Sequence, residues 1–266
     1  MAIEIIAQPE LGRGPRGGYK WKGEPLTRVT SIIGLIDKPA LTYWAAGCAC
    51  DFLAGVPNPE GDKWLLPPAW EAGRAYTDGE IAQATGEARK RFKEVSAVAA
   101  DYGTAAHKWI QEYLEGKKPE MPTAAEVRSS ITGFLEWESQ HKVETVKTEW
   151  MIADPKHMVG GMLDYLASVD GDLAIVDFKT GKPANKQYYP DGLYPEQKIQ
   201  VDAYHHIATP LVKGGKIKRR YILKIPKDGQ PAEMTEVTTN PNKTYKAFIG
   251  LLRARNVLLA MGWKSY

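Results

Sequence analysis

The sequence predicts an α/β protein in which a mixed central β-sheet is flanked by helices and preceded by a helical N-terminal region. Three observations predict it. From Glu144 the apolar pattern takes a period of two through three consecutive segments, "ETVKTEWMIAD", "MVGGMLDYLASV" and "LAIVDFKT". Helical periodicity covers much of the first 140 residues and returns from Pro195. The order that results (helices, three meandering strands, helix, strand, helix) is that of a sheet with helices packed on it.

Each element has a local reason. "GRGPRGG" reads as a flexible loop and "LTRVTSIIGLI" as a short strand or helix start. A helix is expected from about Leu41 to Leu53, a break from Pro57 to Pro68, and a long helical stretch from about Asp78 to Ala100. Gly103 and Thr104 are read as the start of another helix, "TAAHKWIQEYLEG", which Gly116 closes. Thr123 and Glu126 have the capping-box spacing that would start the helix ending near Lys142. Asp154-Pro155 and Asp170-Gly171-Asp172 mark turns between the three strands. A loop, "GKPANKQYYPDGLY", then leads to a helix over Pro195 to Ala208, the strands "KIKRRYILKI" and "AEMTEV", and a last helix from Pro241 to about Leu259. Residues 1–100 are expected to be a helical N-terminal region packing on a core of residues 101–266, the two forming one continuous domain.

Composition limits the function classes. With 43% hydrophobic and 25% charged residues the 266-residue chain is neither disordered nor low-complexity, and it can bury one large core or a core with an added lobe. No apolar run is long enough to cross a bilayer and the start lacks the pattern of a signal peptide, so a cytoplasmic protein is expected. Cys48 and Cys50 are too few for a four-ligand zinc or iron–sulfur site and are read as packed thiols. A net charge of +3 falls short of a dedicated nucleic-acid-binding domain. Two local clusters, Arg89, Lys90, Arg91 and Lys93, and Lys213, Lys216, Lys218, Arg219 and Arg220, are either solvated faces or contacts for an acidic partner.

The chemistry centres on "IVDFKTG". Side chains alternate along a strand, so Asp177 and Lys179 emerge on one side with Phe178 opposite. In the preceding strand, "GGMLDYL", Gly160 and Gly161 permit close backbone approach and Asp164 interrupts an apolar pattern. A hairpin about Asp170-Gly171 brings Asp164 and Asp177 towards each other. Two carboxylates beside an ammonium suit a hard divalent cation, which takes oxygen ligands, keeps waters and binds substrate phosphates. Taken alone, "DFK" fits a salt-bridged pair at a strand end better than a metal site.

The run from Gly161 to Asp164, then "IVDFKTGK", then "QKIQVDAY" resembles the PD-(D/E)XK nuclease superfamily, and "YGTAAH" resembles the histidine motif of its RecB-like branch. The resemblance covers about Asp101 to Ile207, and "VTSIIGLIDKPALTYWAA" also looks like phage members of the group. It implies a restriction-endonuclease-like fold, with Asp164, Asp177, His107 and the carbonyl of Phe178 as metal ligands and Lys179 as the catalytic lysine. It further implies that Gln200 and Tyr204, matching QxxxY, position Lys179 or a phosphate. Glu149 is an outer-shell candidate, whereas His141, His157, His205 and His206 are read as structural or surface residues. One or two Mg²⁺ or Mn²⁺ ions are implied, and no iron–sulfur cluster, since the four cysteines that some relatives carry are missing.

The expectation is therefore a metal-dependent DNA exonuclease of phage type, acting in recombination or replication within a bacterial host cell. Its substrate would be DNA that is single-stranded or has a free end, with a phage recombinase or single-strand-binding protein as partner and no membrane involved. The helical N-terminal region would arch over the sheet, and Trp109 and Tyr113 are read either as stacking platforms for bases or as core residues. A structure-specific endonuclease using the same site and a non-catalytic DNA-binding accessory protein are the alternatives.

Overall fold

The structure is a computed structural model that describes residues 3–57, 65–181 and 184–264. It begins with short strands β1 (Glu4–Ile5), β2 (Leu11–Arg13), β3 (Tyr19–Trp21) and β4 (Glu24–Arg28). Helices α1 (Val29–Ile33), α2 (Pro39–Leu53), α3 (Asp78–Ala88), α4 (Arg91–Leu114) and α5 (Ala125–Gln140) follow. The long strands β5 (Val143–Asp154), β6 (Val159–Val169) and β7 (Asp172–Thr180) come next, then α6 (Pro195–Ala208). Strands β8 (Val212–Lys213), β9 (Arg219–Ile225) and β10 (Glu233–Glu236) lead to α7 (Pro241–Ala260).

Packing divides the chain into two compact units, one of Met1–Ile36 with Ala106–Tyr266 and one of Asp37–Ala105. The smaller unit holds α2, α3 and the first part of α4. Arg91, 3% exposed, donates to the Leu65 carbonyl at 3.0 Å and lies over the Phe52 ring, so this member of the first basic cluster has a structural role. Cys48 is half-buried and Cys50 exposed, contrary to the expected packed pair, because α2 leaves most of its length exposed and buries Phe52.

In the larger unit the strand order is β10-β9-β7-β6-β4-β3-β2, with β5 also paired to β6. β5–β6 and β6–β7 are antiparallel and β7–β9 is parallel, which makes the sheet mixed as expected. α1, α6 and α7 pack on it through Ile32, Val201, Ile207, Phe248 and the strand residues Ile175 and Ile222, all buried. Phe178 turns its ring the other way, towards Phe134 of α5 and Tyr165 of β6.

Several local expectations are corrected. Residues 4–28, read as a loop running into a short strand or helix start, hold four short strands: Gly- and Pro-rich turns close the antiparallel pairs β2–β3 and β3–β4, and β4 joins β6 in parallel through Thr27 and Arg28. The helix break falls at Arg89 and Lys90, not at Gly103. α4 runs through Gly103 because the cost of a mid-helix glycine, about 1 kcal/mol, is small against the length of the helix. Thr104 returns its hydroxyl to the Ala100 carbonyl at 2.9 Å, a mid-helix bond rather than a cap. Thr123 does not cap α5 either, since that helix starts at Ala125 with Ala124 as N-cap. A capping box is present instead at Thr77 and Glu80, where α3 begins. Gly116, at φ +78°, closes α4 as read.

Trp109 is a core residue, and Tyr113 is half-buried against it. Trp109 is 8% exposed and donates to the Glu120 carbonyl, and Tyr113 stacks on it and donates to Glu138 at 2.7 Å. Within the second basic cluster, Lys218 and Arg219 pair with Asp172, Arg219 with Glu236, and Arg220 with Asp202.

Candidate active site

The site arises from how β6 is paired. On one edge β5 pairs with it from Val159 to Val169. The opposite edge is shared: β4 takes Val159 and Gly160, β7 takes Tyr165 to Val169, and the four residues from Gly161 to Asp164 have no ladder partner there. The hairpin register runs from Val169↔Asp172 to Tyr165↔Val176, so Asp164 and Asp177 stand one step past the last pair. Where the strands part, the Asp164 carboxylate accepts the Phe178 backbone N–H at 2.9 Å and supplies the bond that the ladder would have made. The turn expected at Asp170-Gly171 is present, with both residues at positive φ.

Asp177 is fully buried. Its Oδ1 accepts from Gln200 Nε2 at 3.1 Å, and its Oδ2 is in an ion pair with Lys179 Nζ but receives no hydrogen bond of good geometry. Lys179 is also 3.5 Å from the Phe178 carbonyl. Gln200 and Tyr204, one turn apart on α6, are buried, and Gln200 also approaches the Tyr204 hydroxyl at 3.5 Å. The paired glycines have separate uses. A Cβ on Gly160 would meet Leu26 of β4 at 2.8 Å, and one on Gly161 would meet the Tyr204 ring at 2.6 Å, so β6 needs both to lie this close to its neighbours.

The electrostatics follow from burial and proximity. Burial raises the Asp164 carboxyl well above the usual carboxylate range and the Asp177 charge adds to the rise, with Lys179 opposing it. Burial disfavours the Lys179 ammonium, yet Asp177 and Asp164 outweigh it and the group is held above its ordinary value. Lys179 therefore stays a cation at neutral pH. Burial and the Lys179 charge bring His107 down to about 4, leaving a neutral imidazole whose ring sits edge-on to Phe178. Glu149 lies between Thr148 and Trp150, the partners of Tyr165 and Leu163, and is thus level with Asp164 across β5 and β6. It has a positive φ of 43°, and burial raises its carboxyl.

The donor set suits a hard cation. Mg²⁺ is held by one or two carboxylates and fills its shell with water and substrate oxygens, so Asp164, Asp177 and the Phe178 carbonyl are an adequate set. Asp177 Oδ2 receives no hydrogen bond and is met only by the Lys179 ammonium, which a cation taking that oxygen would have to displace. Among the described residues no three His, Cys, Asp or Glu side chains are grouped closely enough to hold a metal together, so His107 does not complete a three-side-chain cluster in this arrangement.

Lys224 of β9 also reaches this region and was read from sequence only as part of a strand. It is the register partner of Lys179, is 4% exposed, and lies over the Tyr194 ring at 5.8 Å. A single lysine ending an apolar strand run, "YILKI", was the available signal. The remaining histidines lie among other partners: His141 pairs with Asp170, His157 with Asp154, His206 stacks on Tyr245, and His205 approaches the Ile217 carbonyl.

The chain belongs to the PD-(D/E)XK nuclease superfamily, whose family profile matches residues 82–261. By family it is therefore a nuclease acting on DNA, with a restriction-endonuclease-like mixed sheet, and members of the superfamily generally use Mg²⁺ or Mn²⁺. No curated protein matches the chain. Among solved structures, "Crystal structure of SSO0001" is similar over 82% of this chain and 87% of that one, at 12% identity and a TM-score of 0.34. No helix among the described residues is long and apolar enough to cross a membrane.

Proposed function

We propose that the protein is a metal-dependent DNA exonuclease of the RecB-like branch, probing DNA for a free end and hydrolysing phosphodiester bonds from it in phage recombination or replication. The observation that carries the active-site assignment is the fully buried Asp177, held between Gln200 and Lys179 and opposite Asp164 one step past the last pair of the hairpin. A buried carboxylate paired with a lysine is costly to keep for stability alone, since apolar replacements of such pairs are often neutral or stabilising.

In this reading Asp164, Asp177 and the Phe178 carbonyl would hold one or two Mg²⁺ or Mn²⁺ ions, with His107 as the further ligand that the "YGTAAH" motif implies. Such an ion, when bound, lowers the pKa of its water and neutralises charge on the phosphoryl group. The residues of the chain do the rest. Lys179 donates to the attacking oxygen or to the developing charge. Gln200 fixes the orientation of Asp177, and Tyr204 packs against β6 at Gly161 to keep α6 in place. His107 is neutral and so offers a ring nitrogen lone pair, and Glu149 adds negative charge beside Asp164. The exonuclease preference and the phage setting rest on the order of "YGTAAH", "GGMLD", "IVDFKTGK" and "QKIQVDAY". A phage recombinase or single-strand-binding protein is the partner this setting calls for.

The test is degradation of end-labelled linear single- and double-stranded DNA beside a covalently closed circle, with Mg²⁺, Mn²⁺ or EDTA, by wild type and Asp177→Ala. Metal-dependent loss of linear DNA only, absent from the variant, is the expected result. Cleavage of the circle would make the protein an endonuclease, and binding without cleavage would make it an accessory protein.

A further inference from the structure

Four of the buried polar or charged residues gather in one place: Asp177, Gln200, Glu196 and Lys224. The first two have the partners described above. Lys224 is different. It is more than nine-tenths buried, and its ammonium has no hydrogen bond or ion pair among the described residues; its close neighbour is the face of Tyr194. The buried side-chain nitrogens and oxygens without a hydrogen bond are Trp137 Nε1, Asp177 Oδ2, Asp202 Oδ1 and Arg220 Nε. Lys224 Nζ is not among them, so the small exposed part of the residue includes its charged tip.

The register gives that tip a direction. β7 and β9 are parallel and Lys224 is the partner of Lys179, so the two side chains leave the same face of the sheet, each from the second-last residue of its strand. Like charges set side by side on neighbouring strands are unfavourable, and a largely buried cation lacking an anion is more so. Asp177 carries a single charge and Lys179 already takes it. Glu196, the other acid of this group, acts on Lys224 through space and makes no ion pair with it, so Lys224 is left without a contacting anion at the carboxyl ends of parallel strands, where α/β sheets place ligands.

We propose that Lys224 is a second phosphate-binding cation of the active site, set beside Lys179 to receive a phosphate group of the nucleic-acid substrate. This rests on the nuclease reading above. A phosphate between the two ammonium groups supplies the missing anion, and Tyr194 supports the Lys224 stem so that the cation approaches from the β9 side.

The test measures binding of a labelled single-stranded oligonucleotide in EDTA over a range of KCl concentrations by wild type, Lys224→Met and Lys224→Arg, with melting curves for each. Each phosphate contact contributes roughly 0.7 to the slope of log affinity against log salt on a single strand. Lys224→Met is expected to bind several-fold more weakly with the slope reduced by about that amount, Lys224→Arg to keep the wild-type slope, and the melting temperature of Lys224→Met to stay level or rise because an unpaired buried charge has gone. Should Lys224→Met melt lower, Lys224→Gln replaces it in the same titration. An unchanged slope in the folded neutral variant overturns the role of Lys224 and leaves the nuclease reading standing. A wild type that neither binds nor cleaves DNA overturns that reading itself.

Discussion

The side-chain amide of Gln200, on α6, donates to Oδ1 of Asp177, on β7, at 3.1 Å in a region where neither residue is more than 8% exposed. A helix residue thereby fixes the rotamer of a strand carboxylate 23 positions away in the chain. Replacing Gln200 with Leu removes the donor and leaves a buried acceptor, a loss of about 1–3 kcal/mol. The larger effect is on orientation. Partners that hold a metal-binding carboxylate are worth about 10–100-fold in activity or metal affinity, and a loss of that size in DNA degradation is expected for Gln200→Leu. Wild-type rates in a folded Gln200→Leu variant would remove Gln200 from the machinery.

Lys179→Ala is expected to abolish cleavage while most DNA binding survives. Without the ammonium, Asp177 is a buried carboxylate lacking a counter-charge, and breaking a buried pair in this way costs about 3–5 kcal/mol. Lys179→Ala should therefore melt well below wild type in EDTA. Equal melting temperatures would show that Lys179 does not neutralise Asp177.

Asp164 gives the wild type a pH-dependent signature. Its carboxyl is raised by burial and by Asp177, so in EDTA its contribution to stability is complete below the ordinary carboxylate range and falls as pH climbs towards the raised value. A divalent cation that binds Asp164 competes with this proton. The stabilisation given by a fixed Mn²⁺ concentration should thus grow with pH, and Asp164→Asn should flatten the trend. Thermal melts over several buffers decide it; a shift independent of pH in the wild type would mean that the cation binds elsewhere.

Gly161→Ala places a Cβ 2.6 Å from the buried Tyr204 ring. Overpacking of this kind costs about 1–3 kcal/mol, and here it pushes on the helix that holds Gln200 against Asp177. Reduced cleavage with a modest fall in melting temperature is expected. Combining the change with Tyr204→Leu should restore part of the stability, because the two positions share one clash. Strict additivity in that double mutant would mean that Tyr204 moves aside without cost.

Trp109 separates the two readings of the aromatic residues on α4. As a core residue that donates to the Glu120 carbonyl, its replacement by Ala should cost about 3–5 kcal/mol. The salt dependence of DNA binding by the folded fraction should be unchanged. A specific loss of DNA affinity without loss of stability would return Trp109 to the role of a stacking platform.

Much of this protein is written in local pattern. Strands β5, β6 and β7 and helix α6 fall where period, turn residues and Pro195 put them, because a buried strand and a Pro-initiated helix are decided by neighbours in the sequence. The proximity of Asp164 and Asp177 was legible for the same reason: one tight turn at Asp170-Gly171 sets the register of the whole hairpin. Boundaries that depend on weak preferences were not legible. Gly103 and Thr104 look like a helix start and lie mid-helix, since about 1 kcal/mol of local preference yields to the packing of a long helix.

The sequence by itself determined which residue types were on hand for the chemistry, their order and the hairpin that brings two of them together. Only the tertiary structure decided that β4 and β7 share one edge of β6 and leave a notch at Asp164, that Gln200 reaches Asp177, and that Lys224 stands beside Lys179. Each of these joins segments far apart in the chain, where no local propensity acts. Their cause is the burial of the α6 face and of β9 against β7, a collective free energy to which each residue contributes little and which no short stretch of sequence contains.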